Sequence, residues 1–157
     1  MPPCLDVYVW VRTTDRPSVL ATFIDHYVDS ENPGDPRLDS LVRALVDERP
    51  TTDDLEALAD LHRDPDASPA FSVYLRARTH YGAVVTLTEE GDLVLGLSLD
   101  DPLDDPDVAV RGAELIVELR NEFQAVAGLA GVELPPPQSA SEWRDEVQVM
   151  LRDGEPP

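Results

Sequence analysis

The chain has 157 residues, of which 42% are apolar and 28% charged, the make-up of one packed domain and not of a disordered segment. Acidic residues number 32 against 12 basic ones, a net charge of -20, and every basic residue is arginine. Direct binding to nucleic acid and recruitment to an anionic membrane both require basic surface, so this composition excludes them.

A domain of this length buries roughly two thirds of its unfolded surface, enough for a core without disulfides or a structural metal. The single cysteine, Cys4, has no partner for an internal disulfide, and its place near the terminus suggests no packing role. A free thiol fits a reducing cytosol. The start, Met1 to Asp6, lacks the basic n-region of a signal peptide. The longest apolar run, Val7 to Val11, falls far short of the ~20 residues that span a bilayer. The expectation is a cytoplasmic protein with one globular domain over 1–152 and a polar tail, 153–157, that frays. Lysine-free, Ala- and Pro-rich chains also arise from codon bias or salt adaptation, so the acidity has a compositional as well as a functional reading.

Leu5, Val7, Val9 and Val11 alternate with Asp6, Tyr8, Trp10 and Arg12, the period of a half-buried strand with its aliphatics toward the core. Asp15 is placed to cap a helix with Pro17 in its first turn, and Val19, Leu20, Phe23, Ile24, Tyr27 and Val28 form that helix's apolar stripe. Asn32-Pro33-Gly34 ends it. A second helix from Asp35-Pro36 to Pro50 carries Leu38, Leu41, Val42, Leu45 and Val46, with Asp39 one turn before Arg43. Thr51 to Asp54 resembles a capping box for a third helix bearing Leu55, Leu58, Ala59 and Leu61, which the prolines at 65 and 69 stop.

Three strands follow: Ala70 to Arg78, Ala83 to Thr88, and Leu93 to Leu99. A turn at Glu89 to Asp92, with Gly91, joins the last two. The almost unbroken apolar run of Leu93 to Leu99 suggests a central strand. Asp105 and Pro106 then open the longest helix, with Val108, Leu115, Ile116, Leu119, Phe123 and Val126 in its buried stripe and Gly128 as its stop. Gly131 to Leu134 reads as a short strand before Pro135-Pro136-Pro137. Within Ser139 to Arg152, Trp143, Val147, Met150 and Leu151 suit a helix, while Val147, Val149 and Leu151 suit an edge strand. The fold class is α+β: a mostly antiparallel sheet of four to five strands with about four helices, in the order β-α-α-α-β-β-β-α-(β/α). Helices cover one sheet face and leave the other partly open.

Phosphate-binding, zinc-protease, thiol-redox and serine-hydrolase motifs are all absent, and no cofactor is expected. His26, His62 and His80 sit on separate elements, so no local pair starts a zinc site. Asp100, Asp101, Asp104, Asp105 and Asp107 form the densest acidic run. It lacks the spacing of a calcium loop, and reads as the entry to a helix whose positive end the acids favour. No metal is expected. Glu114, Glu118 and Glu122 recur one turn apart on the long helix, either a solvated face or a preformed acidic stripe for a basic partner. If the first strand lies beside Ala70 to Arg78, then Tyr8, Trp10, Tyr74, Arg76 and Arg12 project together as binding anchors. The same face is equally suited to be covered by the segment around Trp143.

These features favour a non-enzymatic binding protein that engages a basic protein through Glu114, Glu118, Glu122, Asp100, Asp101 and Asp104, with Tyr8 and Trp10 as anchors. In size, acidity and α+β layout the chain is similar to bacterial immunity proteins that neutralise basic toxins, a similarity of general character carried by no motif. One alternative is a small enzyme or ligand-binding domain with its site near His80 and Tyr81. Another is a homodimer or larger assembly formed through the open sheet face.

Overall fold

Side chains that alternate between two apolar environments build the sheet. The computed structural model describes residues 4–63, 66, 68–100 and 106–157. Its strands β1 (Cys4–Val11), β2 (Phe71–Leu75), β3 (Gly82–Leu87), β4 (Leu93–Asp100), β5 (Ala127–Val132) and β6 (Leu151–Asp153) form one antiparallel sheet in the order β2-β3-β4-β1-β5-β6. The helices are α1 (Arg16–Tyr27), α2 (Leu38–Leu41), α3 (Thr52–Ala59), α4 (Asp107–Phe123) and α5 (Ala140–Asp145). The class is α+β as expected. The described residues hold 6 strands and 5 α-helices, slightly more than expected, because the ambiguous C-terminal segment supplies both α5 and β6. None of the described helices is long and apolar enough to cross a membrane.

β1 occupies a central position, with Val7 opposite Leu97 of β4 and Ala130 of β5. Two strands, β3 and β4, therefore separate it from β2 at the edge. Leu5, Val7, Val9 and Val11 face the main core together with Val73, Val85, Leu93, Leu95 and Leu97. The helices α1 to α4 cover this face with Leu20, Phe23, Leu41, Leu58, Ile116, Leu119 and Phe123.

Local signals set the helix starts. The Asp15 side chain accepts the Ser18 N–H at 3.3 Å, and the expected capping box is present at Thr51 and Asp54, each side chain accepting the other's backbone N–H. The expected second helix is regular only over α2. It continues as a π-helical turn, Val42–Val46, closed by the Asp47 N–H on the Val42 carbonyl. Arg43 reaches Asp54 and not Asp39.

Asp54 is 2% exposed and its carboxylate accepts four bonds, the capping one included: Arg43 Nη2 at 2.7 Å, Arg43 Nε at 2.8 Å, Ser40 Oγ at 3.0 Å and the Thr51 N–H at 2.9 Å make up the set. The Arg43 guanidinium first, then the Thr51 N–H, hold its carboxyl well below its ordinary value of 3.8. A depressed folded pKa gives stability that is complete above the unfolded value and drains away as pH falls toward the folded one. The advantage of the wild type over Asp54→Asn in thermal melts is therefore expected to be full above about pH 5 and to shrink steadily below about pH 4. An advantage that stays constant from neutral to acid pH would show that Asp54 carries no such linkage.

The long helix differs from expectation at its end. Asp105, the expected cap, lies outside the described residues, and Pro106 precedes the first turn. α4 stops at Gln124, which takes the left-handed conformation with φ +53°. Gly128 sits instead within β5, where a Cβ would stand 2.5 Å from Ile116 Cγ2. It is a packing glycine that lets α4 lie close on the sheet. Within the 153–157 tail Pro156 is buried and its carbonyl accepts Arg144 Nη2 at 3.1 Å, while the other four residues are exposed.

The second sheet face has its own cluster of Tyr8, Trp10, Val84, Val94, Ala127, Leu129, Leu134, Ala140 and Trp143. The proline run carries the chain across it in an extended form that needs no N–H partners, and Pro136 and Pro137 are buried. Gln138 fastens the crossing: its carbonyl accepts the Glu89 N–H at 2.9 Å and its Nε2 donates to Ser72 Oγ at 3.1 Å. The Ser139 side chain then caps α5. Trp143 stands edge-on to Trp10, with ring centroids 5.7 Å apart at 89°. Trp10 and Tyr8 are 0% and 2% exposed. The expectation that both serve as exposed anchors is thus corrected: the third layer covers them.

Candidate functional site

The layer made by residues 134–143 roofs only one end of the second face. Toward the other end, where β1 begins and β4 finishes, it leaves a cavity of about 380 Å³ lined by Cys4, Asp6, Tyr8, Tyr74, Tyr81, Val84, Ser98, Glu133, Leu134 and Pro135. The register explains this grouping. Asp6 lies across from Ser98, Tyr8 from Gly96, and Gly82 from Ser98 on the far side. Alternation puts Asp6 and Tyr8 on the face opposite the aliphatics of β1. Tyr74 and Tyr81 stand at the mouth, 60% and 50% exposed.

Asp6 is the chemical centre of this trough. Its Oδ1 accepts Ser98 Oγ at 2.6 Å and its Oδ2 accepts the Leu134 N–H at 2.8 Å. Burial raises its carboxyl above the ordinary value, the two hydrogen bonds pull it back, and Glu133 adds to the rise. A raised carboxyl in a cavity is a group that gains from a cation beside it. Glu133, held at φ +50°, accepts the Cys4 N–H at 2.9 Å. Asp100 stands opposite Cys4 at the same sheet end. Burial and then the charges of Asp6, Glu133 and Asp100 push the Cys4 thiol up, which disfavours the nucleophilic thiolate. Cys4 is also buried at the head of β1, a packing role that its terminal position did not suggest. Burial likewise raises the Tyr8 and Tyr74 hydroxyls, so these phenols stay neutral. Tyr8 donates its hydroxyl to the Leu134 carbonyl.

The glutamates of α4 behave differently from one another. Glu114 and Glu118 are exposed, and among the described residues neither belongs to an ion pair. Glu122 is engaged. It accepts the Tyr27 hydroxyl and lies 2.6 Å from His26 Nδ1, tying α4 to α1. Asp101 and Asp104 lie outside the described residues.

His80 and Tyr81, neighbours in the chain, serve opposite sides of the sheet. His80 packs edge-on to Tyr27 of α1 at 6.1 Å. Burial lowers its pKa, and the charge of Glu118 opposes that. Tyr81 lines the trough. The two expected partners of a single site are thereby separated. Among the described residues no group of His, Cys, Asp and Glu could hold a metal ion.

Of the expected binding residues, the trough collects Tyr8 as a buried wall and stands beside Asp100. Trp10, under α5, and the α4 glutamates lie elsewhere. Asp6, Ser98, Glu133 and Cys4 went unrecognised as site residues. The available signal was an acid on the same strand face as Tyr8. Comparison with protein families, with curated proteins and with solved structures gives no match to this chain.

Proposed function

We propose that this protein acts by binding a basic protein, in the manner of an immunity or inhibitor protein, with carboxylates that draw the partner in. The observation that carries this reading is the outer face of α4, where Glu114 and Glu118 are exposed and outside every ion pair of the described residues. Acids outside the ion pairs of the described residues, on a chain of net charge -20, set up a field that speeds the approach of a cationic surface. Their cost is small because the helix side is solvated.

The test has two stages. The purified protein is used as bait in a native lysate at low and moderate salt, and the captured protein is then purified for binding kinetics. A stoichiometric basic partner is expected, captured at low salt and released at moderate salt as the screening length falls below about 10 Å. Charge reversal, Glu114→Arg with Glu118→Arg, is expected to slow its association by about tenfold or more while dissociation changes little. An unchanged association rate, or no basic partner at low salt, would overturn the reading. A homodimer through the unroofed end of the second sheet face is the competing outcome, and it would persist in gel filtration at high salt.

A further inference from the structure

We infer that the trough at the β1 end of the second sheet face receives an arginine side chain of the basic partner, its guanidinium against the rings of Tyr74 and Tyr81 and bonded to the Asp6 carboxylate. This rests on the reading that the partner is a basic protein, and it names where that partner is anchored.

The mouth and the floor of the trough carry groups that suit a guanidinium. The Tyr74 and Tyr81 rings present neutral π surfaces at the mouth, which attract a cation. Each Asp6 oxygen accepts one bond from a neutral donor, Ser98 Oγ and the Leu134 N–H. Each therefore keeps a free lone pair, the two-pronged acceptor that a planar guanidinium matches. Among the described residues no cation forms an ion pair with Asp6. The arginine whose charge reaches Tyr74 is Arg63, and it is held by Glu142 at 2.9 Å. Glu133 and Asp100 add negative charge at the same end of the sheet.

Arginine is favoured over lysine because a flat guanidinium stacks on a ring and bonds both carboxylate oxygens at once, whereas an ammonium does neither as well. A side chain carried by a protein is favoured over a free small molecule by the open mouth. Small-ligand sites bury roughly 70–90% of their ligand, but the tyrosines that flank this cavity are 60% and 50% exposed.

The test is an amide NMR titration with N-acetyl-arginine methylamide, using the citrulline analogue as an uncharged isostere. Saturable shifts are expected at Gly82, Ser98 and Leu134 with arginine and not with citrulline. Asp6→Asn and Tyr81→Ala are each expected to weaken that binding roughly tenfold. Asp6→Asn keeps both internal bonds, since its carbonyl can accept the Leu134 N–H while its amide donates to Ser98 Oγ. Tyr81 is exposed, so its truncation leaves the fold intact. The same two variants are expected to speed dissociation of the captured partner. Failure of arginine to saturate, or equal binding of citrulline, overturns the inference. So does a captured partner that binds Asp6→Asn as tightly as the wild type. In those cases the wider reading stands or falls on the α4 charge reversal alone. Binding of the arginine analogue without any basic partner in the lysate would overturn the commitment to a protein side chain.

Discussion

Replacing Trp143 with alanine is expected to lower the unfolding free energy by about 3–5 kcal/mol. The side chain is 0% exposed and stands edge-on to Trp10. Removing it would open a large void in the second-face cluster and take the edge-on ring contact away from Trp10. Domains of this size are stable by only about 5–15 kcal/mol, so the loss takes a large share of the whole. Phenylalanine at this position is expected to cost clearly less. Among the described residues the Trp143 Nε1 finds no hydrogen-bond partner, so its removal forfeits volume but no bond seen there. Trp10 differs, since its Nε1 donates to Asp92 Oδ2 at 2.9 Å. Urea denaturation of the two Trp143 variants decides the matter. A loss below about 1 kcal/mol for alanine would mean that the 134–143 layer contributes little to the fold.

Adding one methyl group at Gly96 should also destabilise the protein, by about 1–3 kcal/mol, although alanine is ordinarily the better strand residue. A Cβ at this position would meet Tyr8 Cδ1 at 2.5 Å and Cε1 at 2.6 Å. The ring lies flat over the glycine across the strand pair, shielding backbone that would otherwise lack a covering side chain. Its withdrawal is resisted, because the side chain is 2% exposed and its hydroxyl is held by the Leu134 carbonyl. The same clash would push a wall of the trough out of place, so Gly96→Ala is expected to weaken arginine binding as well. A double-mutant cycle with Tyr8→Ala isolates the contact, and the two penalties should be coupled by about 1 kcal/mol or more. Strict additivity would show that the alanine acts through something other than the Tyr8 ring.

Both predictions concern the second sheet face, where sequence reading was weakest. Alternation in Leu5 to Arg12 correctly divided β1 into two faces, but it could not say what the side of Asp6, Tyr8 and Trp10 would meet. A face bearing two aromatics and an acid reads equally well as a covered layer or as a binding surface, since aromatics serve both. The structure divides it between a covered part and a cavity. Trp10 goes under α5, and Asp6 and Tyr8 go to the trough. The division is made by Pro135 to Gln138, whose path over the sheet depends on bonds to Ser72 and Glu89, residues far away in the chain. Likewise Glu114, Glu118 and Glu122 looked equivalent at helical spacing. Only the docking of α1 against α4 brings Tyr27 and His26 onto Glu122 and leaves the other two exposed.

What the sequence by itself determined is whatever depends on near neighbours. The Asp15 cap, the Thr51–Asp54 capping box, the amphipathic stripes of α1 and α4, the turn at Gly91 and the α+β class all follow from residues a few positions apart. The acidity, too, is a sum over residues and needs no coordinates. The tertiary structure decided everything that joins distant segments: the strand order with β1 at its centre, Gly128 as a packing contact for Ile116 in place of a helix stop, the covering of Trp10, and the assembly of Asp6, Ser98, Tyr74, Tyr81 and Glu133 around one cavity. The physical reason is that side-chain period fixes which way a residue faces along its own element, while the partner across that face is chosen by the packing of the whole chain.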